Sequence, residues 1–270
     1  MTGGHDVSRV RQAHVDWVVE RLTPRDWSIL TDLDRLRLLT GSQLERLHFP
    51  DLHDRSRSVV RWRVLKRLTD WRVISPLSRR VGGSKRGSAG AAYTLDSVGL
   101  RLIQLQDGIG AHQQVRRSAL PGERFLGHIL AGSELFVRLV EQARTGAGKL
   151  ADYRAEPRSW QPDGLGGWLK PDAYIRLVGG GVEDNYFVEI DRATEHISTI
   201  SRKVTVYLDF YRRGQLGPHG IMPRVLFVAP DGSRRDALKR MIESNPGHLD
   251  LFIVETEATA ARSLFMELTS

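Results

Sequence analysis

The second half of the chain alternates short apolar segments with longer amphipathic ones, and this alternation limits the folds that it can adopt. Residues 224–231, RVLFVAPD, are apolar and rich in β-branched side chains, which is typical of a strand buried on both faces. Helical periodicity precedes this segment in residues 196–213 and follows it in residues 233–245, and DLFIVET then reads as a further strand. Strands that alternate with helices pack as an α/β layer structure.

The segments before this alternation complete the predicted order of the second half. RFLGHILAGSELFVRLVEQAR, residues 124–144, has strong helical periodicity. Three strands are predicted after it, at residues 150–157, 169–178 and 185–192. The sequence therefore predicts helix, three strands, helix, strand, helix, strand.

The first half carries the pattern of a small helical domain with a β-hairpin. Thr23 and Pro24 form a helix start, because threonine caps well and proline fits the first turn. A second helix is predicted with Thr40 or Ser42 as its cap. A third helix is predicted from about 55 to 70, an apolar hairpin at 73–77 and 92–95, and a last helix at 97–106. Three helices followed by a hairpin is the order of a winged helix-turn-helix domain.

The charge of the chain indicates a nucleic-acid partner. Net charge is +8 over 270 residues, and the concentrated basic clusters lie between residues 55 and 86. Lysine and arginine neutralise phosphates and release counterions, and arginine also reads guanine edges. The predicted duplex-DNA contacts are Arg57, Arg61, Arg63 and Lys66 on the third helix, and Arg79, Arg80, Lys85 and Arg86 in the hairpin loop. The alternative is a basic face that binds another protein.

The uneven distribution of charge and the boundaries between the predicted segments indicate two domains. We predict an N-terminal helix in residues 1–22, a winged-helix DNA-binding domain in 23–106, a linker in 107–122 and an α/β domain in 123–270. The chain has no cysteine, which excludes disulfides and thiolate metal sites. The N-terminus lacks the apolar core of a secretory signal, and no apolar run approaches the roughly 18 residues of a membrane span. We therefore expect a cytoplasmic protein without a membrane partner.

Three carboxylates of the second half have the arrangement of a metal site. Asp172 and Glu189 lie on consecutive predicted strands, and Asp191 shares a strand face with Glu189. Such a cluster would repel itself unless a divalent cation occupied it, and Mg²⁺ or Mn²⁺ prefers these oxygen ligands. The alternatives are a turn cap for Asp172, and a solvated strand face for the other two that pairs with Arg192 and Arg202.

The order and spacing of these residues resemble the PD-(D/E)XK nuclease superfamily. The matching pieces are Pro171-Asp172 in KPDAYIRL and Glu189 in VEIDRATE, and Glu134 matches an acidic position on the preceding helix. The whole chain looks more narrowly like the replication-relaxation family of plasmid and mobile-element proteins. That resemblance covers the basic winged-helix region, the two acidic strands and the helix KVTVYLDFYRR.

The resemblance implies a winged helix followed by a restriction-endonuclease-like α/β domain with a mixed central sheet. It implies Asp172, Glu189, Asp191 and Lys203 as catalytic residues, and Asp172, Glu189 and Glu134 as ligands of Mg²⁺ or Mn²⁺. The superfamily pattern has lysine where this chain has Asp191, and Lys203 of the next helix is the expected replacement, with Lys170 just before Pro171 as the alternative. A plain surface position remains the alternative for both Lys203 and Glu134.

Three functions remain open from the sequence. The first is metal-dependent nicking or cleavage of DNA in plasmid or mobile-element replication, relaxation or transfer. The second is a non-catalytic DNA-binding initiator, regulator or scaffold that keeps the nuclease fold, which the aspartate at position 191 favours. The third is a transcriptional regulator whose second domain only dimerises. Double-stranded DNA is the expected partner, with a homodimer or the replication and transfer machinery as further partners.

Overall fold

The chain forms a mixed α/β protein with two compact units. The structure, a computed structural model, describes residues 10–77, 90–108, 123–245, 247 and 249–268. By their contacts, Met1–Leu130 form the first unit and Ala131–Ser270 the second. The predicted α/β class is confirmed. The predicted domain boundaries stay predictions, and nearly all of the predicted linker lies outside the described residues.

The first unit combines helices with a small antiparallel sheet. Its helices are α1 Gln12–Val19, α2 Pro24–Leu36, α3 Gly41–His48, α4 Asp54–Asp70 and α5 Ser97–Gln106. Its strands are β1 Leu39–Thr40, β2 Ile74–Pro76 and β3 Ala92–Leu95, in the spatial order β1-β3-β2. The predicted hairpin pairing is confirmed, because β2 and β3 pair antiparallel with Ile74 opposite Leu95.

Local capping sets where the helices of the first unit begin. Thr23 and Asp26 form a capping box at α2, and Thr40 and Gln43 form a second one at α3. Asp96 caps α5. Each cap satisfies backbone N–H groups that have no partner within the helix. The predicted cap at Thr23 is confirmed, and Thr40 rather than Ser42 caps α3.

The second unit is built on a mixed sheet. Helix α6, Glu123–Ala143, spans the boundary between the units. The strands are β4 Lys149–Ala155, β5 Gln161–Pro162, β6 Trp168–Leu169, β7 Ala173–Gly179, β8 Val182–Ile190, β9 Arg224–Ala229 and β10 Phe252–Thr256. The helices are α7 Ile197–Arg212, α8 Gly232–Glu243 and α9 Ala260–Glu267. Among the described residues, five strands form one sheet in the order β10-β9-β8-β7-β4.

The sheet has a parallel part and an antiparallel part. Strands β8, β9 and β10 run parallel, whereas β7 and β4 are antiparallel to their neighbours. Side chains along β8 point alternately to the two faces of the sheet, so Phe187 and Glu189 share one face and Tyr186 lies on the other. Phe187 packs in one buried cluster with residues of α7 and α8. Tyr153 lies on the opposite face and contacts Phe136 of α6 at 5.0 Å between ring centroids.

Three parts of the predicted order were wrong, the first being that strand β5 was not predicted. The predicted strand 169–178 is divided into β6 and β7, separated by Lys170, Pro171 and Asp172. Proline has no N–H for a ladder, which accounts for the interruption. Helix α9, which follows the last strand, was absent from the predicted order. No helix in the described ranges is long and apolar enough to cross a membrane.

Candidate active site

The candidate site lies at one edge of the five-stranded sheet. The carboxyl ends of parallel strands meet at the same edge, and an antiparallel neighbour begins there. Glu189 stands near the end of β8, Asp191 follows it, and Asp172 directly precedes β7. Asp191 N–H donates to the carbonyl of Val228 in β9 at 2.9 Å, which holds the two strand ends together. The topology therefore gathers all three predicted carboxylates at this edge.

Glu189 is held between two side chains of helix α7. Its side chain is buried, with 5% of the residue exposed. Lys203 Nζ donates to Glu189 Oε2 at 2.9 Å, and the Tyr207 hydroxyl donates to Oε1 at 2.7 Å. Lys203 and Tyr207 are four residues apart, so they lie on the same helix face. Ile200 and Val204 of α7 are buried and set this face against the sheet.

Asp172 is tied to the sheet by its backbone and its side chain. Its N–H donates to the carbonyl of Val188 at 2.9 Å, and its carbonyl accepts from Glu156 N–H at 3.0 Å. Asp172 Oδ2 accepts from Ile190 N–H at 2.7 Å. The carboxylate therefore takes the place of a backbone acceptor at the end of the β7–β8 ladder. This position sets it opposite Glu189, and its charge acts on Glu189.

Burial and neighbouring charges shift the pKa values of this cluster. Burial, with the charge of Asp172, raises the pKa of Glu189 to about 7, against the opposing effects of Lys203 and Tyr207. Burial lowers the pKa of Lys203, but the charge and hydrogen bond of Glu189, together with the charges of Asp172 and Glu195, outweigh burial, and the pKa of Lys203 is raised overall. Burial and then Glu189 raise the pKa of Tyr207 well above its usual value. Tyr207 therefore stays protonated and serves as a hydrogen-bond donor.

We expect the stability of the protein to fall as pH rises from about 4.5 towards 7. The pKa of Glu189 is raised from 4.5 to about 7 in the folded state, so the folded chain holds a proton that the unfolded chain releases. This contribution is present below the unfolded pKa and is lost as pH passes the folded pKa. The free energy of unfolding in urea, measured between pH 4.5 and 7 in metal-free buffer, should fall with increasing pH. The Glu189→Gln variant should show a smaller dependence on pH. Equal slopes in both proteins would contradict the assignment.

Asp191 is engaged by helix α8 rather than by Lys203. Arg234 Nε donates to Asp191 Oδ2 at 2.5 Å, and Arg234 Nη2 donates to Oδ1 at 3.3 Å. Arg234 also donates to the carbonyl of Glu195 at 2.7 Å. Asp191 Oδ1 accepts from the N–H of Ala193, whose φ of 53° lies in the left-handed region. The Asp191–Arg234 pair therefore organises the segment between β8 and α7.

Glu134, the third predicted metal ligand, lies on a helix that packs against the other face of the sheet. Its carboxylate accepts from Arg138 at 2.9 Å, one helical turn away. Its charge also acts on Glu257, which follows β10. Within the described part of the chain, no group of three or more His, Asp or Glu side chains is arranged to hold a metal ion. The structure thus brings Asp172, Glu189 and Lys203 together, but not Glu134.

Some of the basic residues of α4 contact other residues of the first unit, and others are exposed to solvent. Arg57 is half-buried and donates to the carbonyl of Leu52 at 2.8 Å. Arg61 pairs with Glu45 of α3 at 2.9 Å. Arg63 and Lys66 are exposed, and Lys66 pairs with Asp70 on the same helix. The predicted loop contacts, which are Arg79, Arg80, Lys85 and Arg86, lie outside the described residues.

Sequence reasoning missed three members of the candidate site. Tyr207 is buried in the core, and its hydroxyl also holds Glu189. Its spacing of four residues from Lys203 could have indicated this. Glu195 directly precedes the N-cap of α7, and its carboxylate lies 3.5 Å from Lys203 Nζ. No local signal marked Arg234, because its partner Asp191 is 43 residues away in sequence.

The α/β protein thus has two units, and acidic and cationic side chains pair at one edge of the mixed sheet. A family model described as replication-relaxation matches residues 30–225, which is well over half of the chain and reaches both units. The chain belongs to the replication-relaxation family, and the resemblance stated from its motifs is confirmed. Comparison with curated proteins and with solved structures finds no match. Family membership supports a role in plasmid or mobile-element replication or relaxation.

Proposed function

We propose that this protein binds duplex DNA and hydrolyses one or both DNA strands at the cluster of Asp172, Glu189 and Lys203. The proposed setting is plasmid or mobile-element replication, relaxation or transfer. The observation that carries the proposal is the 2.9 Å contact of Lys203 with Glu189, beside Asp172. A lysine and two carboxylates at one sheet edge supply the groups of a PD-(D/E)XK site, with the lysine donated by the following helix. The mixed five-stranded sheet supports the same assignment.

DNA binding is assigned to the first unit. The order α2, β1, α3, α4 and the antiparallel β2–β3 pair supports a winged helix, whose third helix enters the major groove. The net charge of +8 favours a polyanionic partner. Arg63 and Lys66 on α4 are exposed and available to phosphates or base edges.

The residues of the site fit a hard divalent cation such as Mg²⁺ or Mn²⁺. Mg²⁺ usually takes one or two protein carboxylates and completes its shell with water and substrate phosphates. Asp172 and Glu189 would be those carboxylates. These two carboxylates repel each other, and this repulsion contributes to the raised pKa of Glu189. A bound cation would relieve the repulsion. When bound, the ion would polarise the phosphodiester, activate water and stabilise the leaving oxygen.

The chain's own residues have separate tasks in this proposal. Lys203, with 37% of its side chain exposed, would place its ammonium against the attacked phosphate and offset its negative charge. Tyr207 orients Glu189 from the buried side. The pair of Asp191 and Arg234 holds the backbone between β8 and α7, and with it the start of the helix that carries Lys203. Asp191 is then a positioning residue rather than a metal ligand.

Two observations favour a second candidate, a DNA-binding replication protein without cleavage. Both carboxylate oxygens of Glu189 already accept hydrogen bonds, one from Lys203 and one from Tyr207. Asp191 stands where the nuclease superfamily has lysine, and it is engaged by Arg234. A satisfied internal cluster of this kind could serve only to join α7 and α8 to the sheet. The two candidates share DNA binding and differ in metal-dependent cleavage.

Conversion of supercoiled plasmid to nicked or linear DNA separates the candidates. The native protein, Asp172→Ala and Glu189→Ala would be incubated with plasmid and Mg²⁺ or Mn²⁺, and duplex binding would be measured in the same buffer. Metal-dependent nicking by the native protein alone, with binding preserved in both variants, supports the nuclease. Equal binding by all three proteins without any cleavage supports the non-catalytic candidate.

A further inference from the structure

Helix α4 presents two apolar and two cationic side chains to solvent along one face. Trp62 is 61% exposed and Val59 is 45% exposed, and Arg63 and Lys66 are also exposed. Positions 59, 62, 63 and 66 are separated by the three-, four- and seven-residue spacings of a single helix face. We call these four residues the α4 stripe. An exposed tryptophan within such a stripe is typical of a contact surface, because it offers a large apolar area with little conformational freedom to lose.

Three further arginines of α4 stabilise the first unit from within. Arg57 donates to Leu52 at the start of the helix. Arg61 pairs with Glu45 of α3 and donates to the carbonyl of Gly41. Arg67 pairs with Asp26, which is fully buried, at 2.6 Å. These contacts fix the orientation of α4 in its unit, and the α4 stripe is exposed to solvent.

We propose that the α4 stripe enters the major groove of duplex DNA, with Val59 and Trp62 against thymine methyl groups and Arg63 and Lys66 against phosphates or base edges. This inference rests on the proposed DNA binding and adds the base preference that the stripe would confer. The major groove admits an α-helix, and the C5-methyl of thymine is the apolar group on its floor. The apolar pair of the stripe, followed by its two cations, thus predicts a preference for A·T pairs over pairs without that methyl.

Charge complementarity favours DNA over a protein as the occupant. The cations of the stripe follow its apolar residues within two helical turns, and the whole chain carries a net charge of +8. Protein interfaces are depleted of lysine at their centre, whereas a nucleic-acid interface uses lysine and arginine beside apolar contacts. In this proposal the cations of the stripe attract phosphates regardless of sequence. Val59 and Trp62 add an apolar contact that depends on the thymine methyl group.

The test compares two short duplexes that differ only in the thymine methyl. One is alternating dA·dT, and the other has deoxyuridine in place of thymidine. Fluorescence anisotropy would give the affinities of the native full chain, Trp62→Ala, Lys66→Ala and Trp168→Ala across a salt series. Trp168 is an exposed tryptophan in the second unit, 55% exposed, and serves as the matched control. Thermal unfolding of each variant would verify that the fold is kept.

We expect the native protein to favour the thymine duplex about fourfold for each methyl that it buries. Trp62→Ala should lose this preference without a change in salt dependence. Lys66→Ala should keep the preference and lower the slope of log affinity against log salt by about 1. Trp168→Ala should behave as the native protein.

Three results would overturn the inference. Equal affinity of the native protein for both duplexes removes the methyl contact but leaves the proposed DNA binding in place. Loss of self-association in Trp62→Ala, measured by sedimentation with unchanged DNA affinity, would identify the stripe as a protein contact. A native protein that binds neither duplex would remove the DNA binding and the inference together.

Discussion

Replacing Lys203 with methionine is expected to slow DNA cleavage by roughly 10²–10³-fold, which is the usual effect of removing one preorganised electrostatic group from a site of this type. Methionine keeps the length and apolar stem of the side chain and removes only the ammonium. Lys203 Nζ lies 2.9 Å from Glu189 and 3.5 Å from Glu195, so its position is set before any phosphate arrives. DNA affinity should change little, because Lys203 lies outside the proposed binding helix.

The control for this prediction is Arg202→Met, which removes a neighbouring positive charge from an exposed position of α7. Single-turnover cleavage at saturating DNA would be measured for both variants. A further readout is the pKa of the Glu189 carboxyl, followed by carbon NMR, which should rise when the opposing ammonium is removed. Cleavage by Lys203→Met at the native rate, or equal losses in the two variants, would contradict a specific role for the ammonium.

Replacing Arg234 with alanine is expected to destabilise the protein by about 3–5 kcal/mol, because it leaves a buried carboxylate without its counter-ion. The Asp191 side chain is 2% exposed and that of Arg234 is 15% exposed, so water compensates little. The double variant Arg234→Ala with Asp191→Asn should recover much of the loss, since a neutral amide is less costly to bury than a charge. Denaturant unfolding in one buffer would give the three free energies.

Arg235→Ala is the matched control for Arg234→Ala, because Arg235 is the next residue of α8 and pairs with Asp236 at the surface. It should have little effect on stability, as is usual for surface ion pairs. A similar loss in both variants would indicate a general effect on α8 rather than the buried pair. Failure of the double variant to recover would show that the backbone contact to Glu195 dominates.

The elements of the fold could largely be predicted because their signals are local. Thr23 with Pro24 and the Thr40 segment mark helix starts through residues at most three positions apart. The apolar run at β9 and the amphipathic α7 follow from side-chain periodicity in the same way. The interruption by Pro171 was missed, because the apolar pattern continues across it. The ends of such strands depend on which backbone N–H and C=O groups form hydrogen bonds with a neighbouring strand.

The site could be predicted only in part, because its contacts join distant segments. The family resemblance pointed to Lys203 as the lysine of the site, and strand alternation put Glu189 and Asp191 on one face. The sequence did not indicate that these two carboxylates meet different helices. That division depends on the parallel register of β8 with β9, which brings Arg234 of α8 to Asp191. Composition likewise did not separate exposed Arg63 from Arg61, which pairs with Glu45.

The most direct test of the proposed active site is a double-mutant cycle of metal-dependent plasmid nicking. Rates would be measured at saturating DNA and Mn²⁺ for the native protein, Asp172→Asn, Lys203→Met and the double variant. The proposal predicts that the native protein nicks, that each single change removes most of the activity, and that the double variant is little worse than either, because groups that act as a unit are not additive. Absence of nicking by the native protein at full DNA occupancy, or single variants as active as the native protein, would contradict it.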